Sequence, residues 1–311
     1  MFDFLVNWLA NVPTFALPYA LAALGLIITE KAGVLSLGAE GFLLIGAMSG
    51  IGVLLGVGDY PLLALTVAAL AAAALSLVYA LLVVTLRVNQ VIGGLALVFL
   101  AQGMTGVIAT RAGWTSRPVE GLHTVPLGSL ADIPVLGPIL FQHDPLVFAT
   151  VPLVALVAYV LDRTMFGLRL RAVGDGPDAA DAAGIRVALT RYGAIALGSA
   201  LVGLAGGYLS VGVAKIWVEG MSGGRGWIAV ALVIFARWQP WRALGGALLF
   251  GGIEALIPRI AAIGVALPQY LVLMTPYLAT LAVMIWICLR QDGRSLEPRA
   301  LGVAHLREER R

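Results

Sequence analysis

The sequence predicts an all-α fold: a polytopic bundle of transmembrane helices with about eight to ten spans, including broken or half-length helices. Of the 311 residues, 60% are hydrophobic and only 12% are charged, whereas soluble domains carry roughly 25% charged residues. The charges are bunched, and several stretches between them hold about 17 or more apolar residues, enough to cross a hydrocarbon core of about 30 Å. We therefore expect a multi-pass protein of the cell (inner or cytoplasmic) membrane.

Hydropathy along the chain predicts eight spans and one shorter apolar piece. The shorter piece, Trp227–Ala236, would rise only about 15 Å as a helix, which is half of a bilayer. It must be a half-span or be extended through Gly223–Gly226. Helices broken in this way occur only where they are buried in protein or line an aqueous cavity. The eight predicted spans are Pro13–Ile28, Gly38–Val57, Tyr60–Leu86, Val91–Thr110, Pro145–Leu161, Tyr192–Val213, Leu244–Ile257 and Pro268–Leu289.

The basic residues predict the orientation, because short cytoplasmic loops keep an excess of Lys and Arg. The arginine-rich loop at about 162–191 and the basic tail at 290–311 are both expected in the cytoplasm. The loop at about 111–143 is rich in Pro and Gly and is expected outside. Residues 1–289 then form one membrane domain. Five segments precede the basic loop, so the N-terminus lies outside unless one segment is re-entrant or Met1–Pro18 hides another crossing.

Several kinds of chemistry are not expected. A phosphate-binding P-loop needs Gly-Lys-Ser or Gly-Lys-Thr, but the two lysines, Lys31 and Lys215, follow Glu30 and Ala214. The chain is therefore not expected to hydrolyse ATP by that route. The single cysteine, Cys288, excludes an intrachain disulfide, and the histidines have no metal-ligand spacing. We predict no catalytic residue, no bound metal and no nucleic-acid partner.

One segment of the basic loop, Phe166–Ile185, contains the signals of a short helix. Gly176 and Pro177 open it, because proline suits the first helical position, and Gly184 closes it. At about seven residues such a helix is too short to be stable alone. We expect a partner protein to hold it, with Ile185 as an apolar anchor. The alternative is a connector folded back on its own membrane domain.

This segment resembles the coupling loop of the permease subunits of ATP-binding-cassette importers, in the superfamily that carries branched-chain amino acids, ribose and related sugars, and nucleosides. Two further segments, Thr29–Ala47 and Gly224–Pro240, resemble its nucleoside and simple-sugar branch. The resemblance implies that an ATPase subunit docks on the loop. The positions that match the coupling loop are Arg171, Gly174, Asp175, Pro177, Ala179, Ala180, Gly184 and Ile185.

The resemblance also implies the other partners. Two permease subunits, identical or homologous, form the pathway within the lipid, and an extracytoplasmic substrate-binding lipoprotein delivers the solute. ATP and Mg are bound by the ATPase, so this chain needs no cofactor of its own. The expected substrate is a nucleoside, and the alternative is a simple sugar such as ribose. A secondary transporter that works without an ATPase is a further alternative.

Polar groups at membrane depth are candidates for the translocation pathway, because a charge at a helix centre costs at least roughly 2.5 kcal/mol. Each has a second interpretation. Glu40 faces the solute or accepts backbone N–H groups from a glycine-rich bend, and Glu254 faces the solute or pairs with Arg259. The neutral groups contact ribose hydroxyls and base edges or link helices to one another. The pathway candidates are Glu40, Asn89, Gln90, Gln102 and Glu254.

Two features outside the predicted pathway also have alternatives. Glu219 and Arg225, in the predicted external loop Ala214–Arg225, are candidates for docking the binding protein, or they are solvated charges. A ladder of small residues at a spacing of four lets helices approach closely, either within the subunit or at a subunit interface. Its members are Ser199, Gly203 and Gly207.

Overall fold

The computed structural model describes residues 2–262 and 297–305, together with scattered positions between 274 and 285. Within that part the chain is mostly α-helical, as the sequence predicts. Short π-helical turns continue two of the helices, at Leu81–Thr85 and at Leu209–Ala214. The described α-helices are α1 (Phe2–Lys31), α2 (Ala39–Gly56), α3 (Pro61–Ala80), α4 (Gln90–Ala112), α5 (Pro145–Arg163), α6 (Met165–Asp175), α7 (Pro177–Ala182), α8 (Val187–Tyr208), α9 (Arg225–Ala236) and α10 (Pro240–Ala262).

Seven of the described helices, α1 to α5, α8 and α10, are long and apolar enough to cross a membrane. They confirm seven of the eight predicted spans, and the eighth, Pro268–Leu289 with Cys288, lies outside the described residues. Helix α1 is continuous over 30 residues, so no separate crossing is hidden before Pro18. Helix α9 has 12 residues and rises about 18 Å, which confirms the predicted half-length helix.

Helices α1, α2 and α8 form the centre of the bundle and approach one another at glycines. Gly25 of α1 faces Gly198 of α8 so closely that a Cβ on either would overlap the other's backbone. A Cβ on Gly46 of α2 would likewise overlap Gly203 of α8. Close backbone contact is the main attraction between helices in lipid. The predicted ladder therefore packs helices within the subunit, and all its members are buried: Ser199, Gly203 and Gly207.

One end of the bundle, called the basic end below, collects most of the described basic residues. Helices α1, α3, α5 and α9 end there, and α4, α8 and α10 begin there, whereas α2 begins deeper in the bundle, where Glu40 contacts the start of α9. Arg191 donates to the carbonyl oxygen of Ala32 at 3.3 Å, and the indole N–H of Trp238 donates to Glu30 at 2.6 Å, so these helix ends are tied together. The basic end carries Lys31, Arg87, Arg163, Arg169, Arg171, Arg186, Arg191, Arg237 and Arg242.

The opposite end is covered by the long loop at 113–144. This loop lies along the chain that follows α8, where the backbone N–H of Ser116 donates to the carbonyl oxygen of Trp217 at 2.9 Å. Two short strands within the loop, β1 (Val125–Pro126) and β2 (Gln142–His143), pair in antiparallel fashion. Most of the loop is irregular, in agreement with its Pro and Gly content.

The segment predicted as a basic loop at 162–191 is largely helical, and α6 was not predicted. Helix α6 mixes arginines with apolar residues and is therefore too polar to stand out as a membrane segment. Its local signal is Thr164, whose hydroxyl accepts a hydrogen bond from the backbone N–H of Gly167 at 3.3 Å as an N-cap. The loop itself is shorter than expected, because α8 already begins at Val187.

Helix α7 matches the predicted short helix. It begins at Pro177 and ends at Ala182, six residues in all. Gly184 follows with φ +82°, and the N–H of Ile185 donates to the carbonyl oxygen of Ala180 at 3.0 Å. A left-handed glycine with such a bond is a common way to end a helix, so the sequence signals at both ends are confirmed.

Candidate functional site

The centre of the candidate site is the start of the half-length helix α9, which is capped by a carboxylate from another helix. Glu40, near the start of α2, accepts hydrogen bonds from the backbone N–H groups of Gly224 (2.8 Å) and Gly226 (2.7 Å) and from the hydroxyl of Ser222 (2.5 Å). The first N–H groups of a helix have no partner within it, and together they carry partial positive charge. Glu40 satisfies and neutralises this end, so the interpretation as a carboxylate bound by a glycine-rich bend is confirmed.

Glycines make this close approach possible. Gly223 and Gly224 have φ of +55° and +83°, a left-handed conformation that side chains disfavour. A Cβ on Gly226 would lie 2.5 to 2.7 Å from the backbone N, the Cα and Oε2 of Glu40. Any larger residue at position 226 would push α9 away from α2.

An ion pair lies beside this cap. The guanidinium of Arg225 contacts the carboxylate of Glu254 on α10, which also accepts a hydrogen bond from the hydroxyl of Tyr19 at 2.8 Å. Tyr19 precedes Lys31, the end of α1, by about 18 Å of helix. The ion pair therefore lies deep in the bundle, far from both ends.

This arrangement corrects two predictions. Arg225 was expected in an external loop as a docking charge, but it is the first residue of α9 and is only 22% exposed at its side chain. The chain after α8 turns inward after Trp217 and reaches Glu40 at membrane depth. Glu254 pairs with Arg225 and not with Arg259, the partner expected from proximity in sequence.

A second polar surface runs along α4. Gln102 and Thr110 are exposed on one side of this helix and line an open cavity of about 640 Å³, whose lining at the opposite end of the bundle includes Arg111 and Glu219. Gly106 makes room for Glu219, because a Cβ there would lie 3.3 Å from Oε1 of that residue. The structure thus brings together a predicted pathway residue, Gln102, and a predicted docking residue, Glu219.

Two other pathway candidates have local structural partners. Asn89 caps α4, where its side-chain oxygen accepts from the N–H groups of Val91 at 2.9 Å and Ile92 at 3.3 Å. Gln90 is buried, and its side-chain oxygen accepts from the N–H of Leu35 at 2.7 Å. The side chain of Gln90 therefore links two segments of the fold, which is the structural one of its two interpretations.

The predicted coupling positions divide between two faces of the α6–α7 region. Ala180 is buried and forms a small apolar cluster with Val173 and Val187, and Ile185 packs against it. Ile185 is therefore half-buried against its own subunit, and its role as an apolar anchor for a partner stays a prediction. The buried Gly174 lies against the end of α1, and Arg171 is half-buried. Of the other predicted positions, Asp175, Ala179 and Gly184 are exposed and Pro177 is half-buried. The neighbouring Asp178, Ala182 and Ala183, which were not predicted, are exposed as well.

The tail segment 297–305 packs on this region. The N–H of Ala300 donates to the carbonyl oxygen of Gly174 at 2.8 Å, and the N–H of Gly302 donates to that of Gly33 at 3.2 Å. His305 lies 3.0 Å from the carboxylate of Asp178 on α7. The tail therefore ties the α6–α7 region to the end of α1, a contact that its composition did not predict.

Two long-range pairs were also missed by sequence reasoning. Glu30 is buried at the basic end and bonded to Trp238 between α9 and α10. Asp144 caps α5 through the N–H of Leu146 at 3.0 Å and accepts from the hydroxyl of Tyr208 at 2.6 Å. Asp-Pro at the start of an apolar run is a helix-start signal, so the sequence indicates the cap of α5. It does not indicate the distant partners, Tyr208 and Trp238.

The fold also groups three exposed residues at the opposite end. Ligand-type atoms of Asp59, Glu120 and His123 lie within 4.8 Å of one another. Their sequence spacing did not predict this grouping. All three are exposed to solvent, so the grouping alone does not indicate a metal site.

Comparison with known proteins gives close relatives along almost the whole chain. A protein of Haloferax volcanii, whose assignment as a glucose ABC transporter permease protein is provisional, is 37% identical over 93% of this chain and 94% of its own length. A guanosine ABC transporter permease protein of Bacillus subtilis is 33% identical over 95% of each chain. A nucleoside ABC transporter permease protein of Lactococcus lactis is 31% identical over 96% of each chain.

The family model described as branched-chain amino acid transport system / permease component matches residues 8–287. That match contains the capped half-helix, the ion pair at membrane depth and the exposed short helix at the basic end. It also covers six of the seven described helices that can cross a membrane completely, and α1 from Trp8 onward. The chain is a multi-pass membrane protein, and it belongs to this family of transport-system permease components.

Proposed function

We propose that this chain is the membrane subunit of an ATP-driven importer and that it moves an uncharged polar solute, with nucleosides as the first choice. Family membership supports the class of transporter. One observation supports coupling of this chain to an ATPase: α7 has an exposed face, and it lies beside the arginine-rich segment. The basic end faces the cytoplasm, because short cytoplasmic loops concentrate Lys and Arg.

An ATPase subunit docks on the exposed face of α7. Ala179, Ala182 and Ala183 present little bulk there, so a helix-sized groove of the partner can receive them. On the other face, Ala180 and the tail segment 297–305 fix α7 to the bundle, so that a push on α7 is transmitted to α1 and α8. ATP and Mg are bound by the ATPase, and this chain provides no cofactor.

The solute crosses between two permease subunits, identical or homologous. The cavity along α4 is the surface that this chain contributes, because it combines neutral polar groups at Gln102 and Thr110 with an opening toward Glu219. A substrate-binding lipoprotein delivers the solute at that end. ATP binding closes the ATPase dimer, α7 moves with it, and the pathway opens outward.

The charges at membrane depth favour an uncharged solute. Broken helices often receive an anionic group of the substrate at a free N-terminus. Here the N-terminus of α9 is already occupied by Glu40, and Arg225 is paired with Glu254. A carboxylate or phosphate at this depth would find both positive groups neutralised. Amino acids and nucleotides are therefore disfavoured, while nucleosides and sugars remain.

A simple sugar is the second candidate. It is favoured by the relative that shares 37% identity, whose assignment is to glucose, whereas two other relatives are described as guanosine and nucleoside permeases. Uptake of labelled guanosine, uridine, glucose, ribose and leucine by cells that lack this subunit, with and without a plasmid copy, separates these candidates. Restored nucleoside uptake supports the proposal, restored sugar uptake alone selects the second candidate, and restored leucine uptake contradicts an uncharged solute.

The docking role of α7 is tested by adding a charge to its exposed face. Ala182→Glu should reduce solute-stimulated ATP hydrolysis of the reconstituted complex about tenfold or more, because an unpaired charge in an interface costs several kcal/mol. Arg242→Glu, a charge change at an exposed position of the basic end outside α7, is the control and should retain activity. If the two variants behave alike, α7 is not the docking site.

A further inference from the structure

A cavity of about 470 Å³ opens at the basic end beside α7. Its lining joins the chain after α3, the connection between α7 and α8, and the tail segment. Three arginines line it, Arg87, Arg186 and Arg191, together with one carboxylate, Asp181. His305 of the tail also lines it, and its ring lies against Asp178. The arginines outnumber the carboxylate, so the cavity attracts anions.

One of these arginines is a buried cation with no carboxylate partner among the described residues. Arg191 is 2% exposed, and it donates only to the carbonyl oxygens of Ala32 (3.3 Å) and Val303 (3.1 Å). Its Nη2 has no hydrogen-bond partner within the described part of the chain. Carbonyl groups solvate a guanidinium but leave its charge uncompensated, and an uncompensated buried charge is costly. An anion in the cavity would remove that cost.

The start of α8 provides a second, independent attraction for an anion. Arg186 is the N-cap residue of this 22-residue helix and makes no side-chain capping bond. The first turn, Val187 to Leu189, lines the cavity. Free N–H groups and the positive end of the helix dipole form a ready site for a phosphate group.

The remainder of the lining is apolar and lies where two spans end. Val84, in the last turn after α3, lies deeper in the bundle than Arg87, and Leu189, which is 60% exposed, lies deeper than Arg186. A molecule with an anionic head and an apolar body fits both parts. We propose that this cavity binds the phosphate headgroup of an anionic phospholipid from the inner leaflet, directly beside α7. Clustered basic residues at this level of a membrane protein commonly serve that purpose.

The test uses the complete transporter in nanodiscs of phosphatidylcholine, with or without phosphatidylglycerol, and counts bound lipids by native mass spectrometry. Arg87→Gln/Arg186→Gln removes two exposed arginines from the cavity without touching the buried Arg191. Arg163→Gln/Arg242→Gln removes two exposed arginines from the same end outside the cavity and is the matched control. At about 1 kcal/mol for each arginine, the cavity variant should hold phosphatidylglycerol at least roughly tenfold more weakly.

The wild-type protein and the control should both retain phosphatidylglycerol in preference to phosphatidylcholine and melt at a higher temperature with it. Equal retention by the cavity variant would overturn the proposal. So would an equal loss in the control, since that would indicate general surface charge. A third arm adds inorganic phosphate to phosphatidylcholine nanodiscs. If phosphate alone raises the melting temperature as much as phosphatidylglycerol does, a soluble anion and not a lipid is the ligand.

Discussion

Glu40 is a buried carboxylate whose three hydrogen-bond donors come from one short stretch of chain, Ser222 to Gly226. The sequence identified Glu40 as unusual because charged groups are rare at membrane depth. It also identified the glycine-rich start of the half-helix. It did not predict that the two meet, because their separation of more than 180 residues leaves no local signal. For Glu254 the local guess, Arg259, was wrong for the same reason.

A methyl group at position 226 tests the contact between α2 and α9. Gly226→Ala would place a Cβ within 2.7 Å of three atoms of Glu40, and such overpacking costs about 1 to 3 kcal/mol. We expect a lower melting temperature and reduced transport. Gly245→Ala is the control, because nothing lies within 4 Å of its added Cβ. It should leave stability unchanged or raise it by about 1 kcal/mol, since alanine favours a helix. Equal effects of the two changes would contradict this contact.

Because Arg225 and Glu254 form an ion pair at membrane depth, removing one of the two charges should destabilise the protein more than removing both. Arg225→Gln leaves the carboxylate of Glu254, only 13% exposed, without its cation, and this should cost about 3 kcal/mol or more. The double variant Arg225→Gln/Glu254→Gln removes both charges and should recover much of that loss. Thermal unfolding of the single and double variants measures the coupling. Additive losses would mean that the two residues do not act as a pair.

At the scale of elements, the sequence predicted long helices well and amphipathic ones poorly. A span must be long and apolar because lipid offers no hydrogen bonds to a bare backbone, so hydropathy alone located α2 to α5. Helix α7 was found from Pro177 and Gly184, whose backbone preferences are local. Helix α6 was missed because its hydropathy resembles that of a loop, and its stability comes from packing against α5 and α7.

Because the tail segment packs on α6 and α7, we expect its deletion to destabilise the α6–α7 region. Deleting 297–311 removes two backbone hydrogen bonds, to Gly174 and to Gly33, and the carbonyl partner of Arg191. At about 1 kcal/mol for each bond, stability should fall by about 3 kcal/mol. Limited proteolysis should also cut faster between α6 and α8. Deleting only 306–311 is the control and should change neither. Similar proteolysis of both truncated chains would show that the tail does not hold the α6–α7 region in place.

At the scale of the whole molecule, the parts form one path from the basic end to the opposite end. The exposed face of α7 and the tail contact α1 and α8 at one end. The capped half-helix lies at mid-depth, and the cavity along α4 opens toward Glu219 at the other end. Sequence reasoning singled out α7 and Glu219 at the two ends but did not predict the packing between them. That packing depends on glycine contacts between helices that are distant in sequence.

The most direct test of this account is transport by purified components. The chain is reconstituted into proteoliposomes with its permease partner, ATPase and binding lipoprotein, and uptake of labelled guanosine is measured with and without ATP. We predict uptake that needs ATP and the ATPase and that is not reduced by excess leucine. Guanosine uptake that continues without ATP and without the ATPase would contradict the account.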